Sequence, residues 1–150
     1  MNTLYIMVGI QGSGKSTYAK ELAKKENCVI HSTDAIRWEL FGNQLNVPND
    51  KLVFRTVRER MKKDLEEGKN VICDACNVTK RRRSSFLNEV RKLKCRKIAV
   101  VIDTDIEKCF ERNSKRDDSC RIPENAIKIT NERFEKPEKN EGFDEIIFIK

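Results

Sequence analysis

The chain has 150 residues, 38% of them apolar and 37% charged, and its 31 Lys and Arg outnumber 24 Asp and Glu for a net charge of +7. This length suits one domain with one hydrophobic core and leaves no room for a multidomain machine; no run approaches the ~20 consecutive apolar residues of a bilayer span. The positive excess points to an anionic partner such as phosphate, nucleotide or nucleic acid, or else to ordinary solubility.

In chain order, residues 4–9 form an apolar run of strand length. The run lacks a basic leader and is soon followed by glycines, so it does not read as a secretory signal, and a cytoplasmic location is expected. Gly9-Ile10-Gln11-Gly12-Ser13-Gly14-Lys15-Ser16 then matches G-x-x-x-x-G-K-[ST] between this strand and a helix over 15–25 with Ala19, Leu22 and Ala23 on one face. Such a loop curls so that its N–H groups face phosphate oxygens, with the positive end of the helix behind them. Gly9, Gly12, Ser13, Gly14, Lys15, Ser16 and Thr17 are the candidate nucleotide-binding residues; Lys15 is expected to reach the β- and γ-phosphates and the Ser16 hydroxyl to hold Mg²⁺.

A second strand, residues 28–32, leads into Asp34 at the start of a helix, with Arg37 three residues on and sharing its face. A carboxylate there can deprotonate an acceptor hydroxyl and a guanidinium can grip an anionic group, although Asp34 as a plain helix cap fits the same spacing. Trp38 is expected in the core, or else against the acceptor. Residues 41–49, rich in Asn and Gly, read as a loop, and 50–67 as a helix with Val53, Val57, Met61 and Leu65 at four-residue spacing. The third strand, residues 70–74, ends on Asp74, followed by Cys76 and Asn77. Thr79 is placed to cap a helix burying Phe86, Leu87, Val90 and Leu93. A fourth strand, residues 97–103, ends on Asp103, a second candidate for the acidic residue near the metal.

Thr104 and Glu107 have the spacing of a capping box ahead of Ile106, Cys109 and Phe110. Arg112-Asn113-Ser114-Lys115-Arg116 then leaves that helix, and the segment over about 112–122 suits a mobile cover carrying cations to a phosphoryl group, or a solvated loop. Pro123 opens a last helix that ends before Pro137, and residues 145–150 form a fifth strand. Alternating strands and helices predict a single α/β domain over 1–150, three layers deep around a five-stranded parallel sheet of order 2-3-1-4-5. The six cysteines lie mostly in apolar runs and are expected to be reduced; Cys73-x-x-Cys76 without a second pair, and with His31 as the single histidine, is a poor zinc site. The basic run 80–83, continued by Arg91, Lys92, Lys94, Arg96 and Lys97, fits either a nucleic-acid backbone or water.

With these residues in view, the chain resembles P-loop kinase domains of the phage polynucleotide 5′-kinase type, and more broadly the small ATP-binding kinases of bacteria and phages. The resemblance runs through the P-loop, Asp34-x-x-Arg37, Asp74-x-x-Asn77 and the Arg112 to Arg116 pentapeptide followed by Pro123. It implies an ATP- and Mg²⁺-dependent kinase acting on the 5′-hydroxyl end of RNA or DNA. By the same resemblance Asp34 is the general base, Arg37 binds the acceptor's phosphate, Arg116 stabilises the donor phosphates and Asp74 is needed at the site; Arg112 is further expected to close over the donor with Arg116, and Asp74 with Asn77 to serve the acceptor side and indirectly the metal. Cys76 departs from the threonine usual there, and the phosphatase domain of the phage enzyme has no room in this length. A small-molecule acceptor (nucleoside, sugar or antibiotic) and a nucleotide-binding module without turnover are the competing expectations.

Overall fold

The computed structural model describes residues 1–43, 45 and 50–150; of the 41–49 loop expectation, residues 44 and 46–49 lie outside the described residues. The strands are β1 (Thr3–Val8), β2 (Cys28–Ser32), β3 (Asn70–Asp74), β4 (Arg96–Ile102) and β5 (Glu145–Ile149). All pair in parallel, in the order β2-β3-β1-β4-β5, with Leu4 opposite Val71 on one side of β1 and Ile6 opposite Ala99 on the other. The helices are α1 (Lys15–Glu26), α2 (Thr33–Phe41), α3 (Asp50–Glu66), α4 (Lys80–Glu89), α5 (Ile106–Ser114) and α6 (Glu124–Glu132).

Alternation along β1 divides the core. Leu4, Ile6 and Val8 pack with Val53, Val57 and Met61 of α3 and Phe86 and Leu87 of α4. On the opposite face, Met7 packs with Ala19 of α1, Ile72, Ile98 and Val100. A strand covered on both faces must be apolar at every position, which is why β1, β3 and β4 read as unbroken runs. A smaller cluster of Ile10, Val78, Cys109 and Ile127 sits at the carboxyl edge of the sheet and seats α5 and α6 against the P-loop.

Several local expectations are corrected. Phe41 belongs to α2, and α4 stops at Glu89, so Leu93 packs on the core from beyond the helix. Thr104 does not cap α5; Asp105 holds that position without a side-chain cap bond, because the Thr104 hydroxyl instead donates to Ser13 O at 2.7 Å. Pro123 is the residue before α6 rather than its first. Trp38, 41% exposed, is not in the core. The basic run is also broken: Arg83 is fully buried, its guanidinium on Glu141 and on Asn77 O, and Arg96 pairs with Glu145. None of the six cysteines is in a disulfide, and burial pushes the Cys73 thiol up to about 12.

Candidate active site

The P-loop bridges the end of β1 and the start of α1. Gly14, at φ 96°, takes the left-handed conformation at the cap of α1 that a side chain resists, and a Cβ on it would meet the Arg112 guanidinium at 3.1 Å. Gly12, at φ 80°, is more constrained: a Cβ there would lie 2.6 Å from Cys109 O on α5. The loop therefore wraps closely against α5, and Arg112 Nη1 reaches Gly12 O at 3.4 Å. Lys15 Nζ bends back over the loop to Ile10 O at 3.3 Å. The Ser13 hydroxyl is buried without a partner among the described residues, so the loop keeps an uncommitted donor among its backbone N–H groups.

Two acidic strand ends competed for the metal side, and their placements differ. Ser16 Oγ donates to Asp74 Oδ2 at 2.9 Å, and Asp74 is buried. Asp103 lies on the other side of the P-loop, in a cavity of about 730 Å³ shared with Gly14, Thr17, Tyr18 and Arg112. Asn77 holds the loop after Asp74 in place. It is buried at φ 50°, and its Nδ2 donates to Met7 O at 2.9 Å, whereas its Oδ1 is buried without a partner among the described residues.

Asp34 is freed from capping by its neighbour. Ser32 caps α2, its hydroxyl accepting from Ala35 N, and Asp34 in the first turn points its carboxylate at Arg37 Nη1, 2.7 Å away. Asp34, Arg37, Lys15, Ser16, Asp74 and Arg116 all line one cavity of about 630 Å³, with Cys76 at its wall. Arg116 and Arg112 thus face different cavities on either side of the P-loop. The segment between them and α6 is closed by Asn113, which is buried and exchanges two bonds with Ile122, Nδ2 to O at 2.6 Å and N to Oδ1 at 3.0 Å. Gln11 Nε2 donates to Thr130 Oγ1 at 3.1 Å, linking the P-loop to α6.

Asp50, Phe54 and Arg82 are among the cavity residues that belong to none of the motifs. Asp50 and Phe54 are one turn apart on α3, a spacing that puts them on one face, but only the packing of α3 against α2 and α4 shows that this face meets Arg37.

A family model described as an AAA domain (AAA_33) matches residues 4–137. The chain belongs to that family. This P-loop kinase domain is 26% identical over 145 residues to an L-seryl-tRNA(Sec) kinase of Methanococcus maripaludis, covering 89% of this chain and 53% of that protein. It is 26% identical over 147 residues to a protein of Autographa californica nuclear polyhedrosis virus described as a bifunctional polynucleotide kinase/RNA ligase, covering 89% of this chain and 21% of that protein. The kinase domain therefore spans at most about half the length of these two relatives. Among solved structures, a chain of the Pnkp1/Rnl/Hen1 RNA repair complex is 30% identical with a TM-score of 0.70, covering 89% of this chain and 46% of that one. A sugar kinase of Janibacter sp. has a TM-score of 0.75 at 19% identity, over 99% of this chain and 85% of that one, which shows the shared fold.

Proposed function

We propose that this kinase domain transfers the γ-phosphoryl group of ATP to the 5′-hydroxyl end of a polynucleotide. The observation that carries the reading is the Asp34–Arg37 pair, held on the same cavity as Lys15, Ser16 and Arg116. A hydroxyl seated between Asp34 and the P-loop would lose its proton to Asp34 Oδ while its oxygen bonds to the γ-phosphorus and the bond to the departing ADP breaks. Lys15 then neutralises the donor phosphates, and Arg116, on the same cavity, adds positive charge. Residues 112–122 act as the lid of a single domain over 1–150. Similarity to polynucleotide-kinase proteins supports the acceptor, and the likeness to a seryl-tRNA kinase also favours an RNA-borne hydroxyl.

The Ser16 hydroxyl and Asp74 carboxylate fit Mg²⁺. They present a hard-oxygen pair 2.9 Å apart, and no cluster of three or more His, Cys, Asp or Glu able to hold a metal is found among the described residues, so the donor set suits an ion that keeps waters and phosphate oxygens. When bound there, Mg²⁺ neutralises the β- and γ-oxygens. No described helix is long and apolar enough to cross a membrane.

Incubating the protein with γ-labelled ATP, Mg²⁺ and a panel of 5′-hydroxyl oligonucleotides, nucleosides and sugars tests the reading. Label on the oligonucleotide, abolished by Asp34→Asn with ATP binding retained, is the expected result. Label only on a small molecule moves the acceptor class, and none anywhere makes the domain a nucleotide-binding module. Full turnover by Asp34→Asn removes Asp34 as the base.

A further inference from the structure

Arg37 is engaged on two sides. Its Nη1 donates to Asp34 at 2.7 Å, while Nε and Nη2 donate to the two oxygens of Asp50 at 3.1 and 3.5 Å. The Arg37 side chain is only 18% exposed, whereas that of Asp50, at the start of α3, is 52% exposed. One turn along α3, the buried ring of Phe54 lies 5.9 Å from the Arg37 guanidinium carbon and 3.7 Å from that of Arg82. Arg82 comes from the first turn of α4 and makes no ion pair among the described residues. Asp50 is the acidic group in its field, against the like charges of Arg37, Arg58 and Arg81.

The side-on Nε and Nη2 edge of an arginine takes a carboxylate and a phosphate oxygen pair with the same geometry. A half-exposed carboxylate on that edge, with a second guanidinium fixed flat on an aromatic ring nearby, has the charge pattern of a phosphate seat occupied by a surrogate. We propose that Arg37 and the Phe54-backed Arg82 form a two-arginine seat for a phosphate group of the acceptor, and that Asp50 fills this seat until such an acceptor displaces it. The proposal rests on the reading that a nucleic-acid acceptor enters this cavity; Arg82 and Asp50 are its additions. It makes Asp50 a selectivity element. A neutral acceptor cannot replace the carboxylate on Arg37, so acceptors lacking a phosphate compete poorly for the site, whereas a phosphate restores the lost bonds and adds Arg82.

Binding of adenosine 3′-monophosphate, which carries a 5′-hydroxyl and a phosphate, is compared with that of adenosine by titration calorimetry on wild type, Asp50→Asn, Arg82→Gln and Arg82→Lys. ATP binding checks that each variant is folded. Asp50→Asn should tighten the 3′-monophosphate about fivefold or more without tightening adenosine, because a competing charge is removed. Arg82→Gln should weaken the 3′-monophosphate about tenfold and adenosine much less, and Arg82→Lys should recover part of that loss because the ammonium lacks the planar fork. Unchanged or weaker 3′-monophosphate binding by Asp50→Asn, or equal losses of both ligands in Arg82→Gln, overturns the seat. These measurements need no turnover. Failure of phosphoryl transfer to any 5′-hydroxyl end overturns the proposed function while leaving the seat standing, and transfer with both variants binding like wild type overturns the seat alone.

Discussion

Ser16 Oγ donates to Asp74 Oδ2 across 2.9 Å, tying the first turn of α1 to the end of β3 and placing a hydroxyl and a carboxylate side by side beneath the P-loop. Asp103, equally acidic and also at a strand end, has no such contact with the loop hydroxyl among the described residues, and it opens on the other cavity.

The two members of this pair should fail differently. Asp74→Asn keeps an acceptor oxygen for Ser16, so folding stability should change by less than about 1 kcal/mol. Turnover should fall about 10²-fold or more, with a higher Mg²⁺ concentration needed for half-maximal rate. The corresponding change at Asp103 should leave the Mg²⁺ dependence as it was. Rate against Mg²⁺ concentration for both variants is the measurement, and an equal shift in the two would remove Asp74 from the metal side.

Arg116 lines the cavity while its side chain makes no ion pair or hydrogen bond with the described residues, so it contributes little to the folded state. Arg116→Ala should therefore unfold within about 0.5 kcal/mol of wild type in urea. Its kcat should fall about 10²-fold or more, because positive charge at the transferring phosphoryl group matters most in the transition state. A near-normal rate would sink the lid assignment.

Two glycines separate crowding from backbone strain. Gly12 and Gly42 have nearly the same positive φ, 80° and 74°, but a Cβ at Gly12 meets Cys109 O at 2.6 Å while one at Gly42 meets none of the described residues within 4 Å. Gly42→Ala should cost about 1 kcal/mol, the left-handed penalty alone. Gly12→Ala must also push α5 away from the P-loop, and should cost at least about 2 kcal/mol together with nucleotide affinity. Urea unfolding and ATP titration of both variants check the contrast; equal losses would mean that α5 yields freely.

The edge strand β2 is joined to α3 by His31 Nε2 and Asp64 Oδ2, 2.6 Å apart, with Lys69 Nζ 3.5 Å from the other carboxylate oxygen. Burial alone would raise the Asp64 pKa, but the hydrogen bond from His31 and the nearby Lys69 charge outweigh it, and the carboxyl is held below its ordinary value. A depressed folded pKa adds stability above the unfolded value of about 4, and that stability is lost as pH falls through the lower folded value. Asp64→Asn should cost about 1–2 kcal/mol at pH 7, and the gap to wild type should narrow below about pH 4. Urea unfolding of both proteins at pH 7, 5 and 3.5 tests this; a gap that does not change with pH would show that the carboxylate's charge is not what matters.

Strands, sheet order and the P-loop were legible because each is written locally. A strand buried on both faces must be apolar throughout, and a phosphate loop needs its glycines and lysine at fixed spacing. The helix ends were less legible because short polar side chains had competing partners. Thr104 has the spacing of a cap, yet its hydroxyl goes to Ser13 O, a bond that exists only once α5 has docked on the P-loop. Asp34 was ambiguous for the converse reason, since Ser32, two positions earlier, could take the cap and did. Arg82 and Asp50 could not be joined from the sequence at all. One stood in a basic run and the other at a helix start, and only Phe54, carried inward by α3, brings them to Arg37.

The central position of β1 also has a consequence in time. The strand that carries the P-loop completes neither of its ladders until β3 and β4 have been made, because Leu4 waits for Val71 and Ile6 for Ala99. Such distant pairings are slow to form. During synthesis the strand that leads into the phosphate cradle thus gains its last ladder partner only after Val101 has been made.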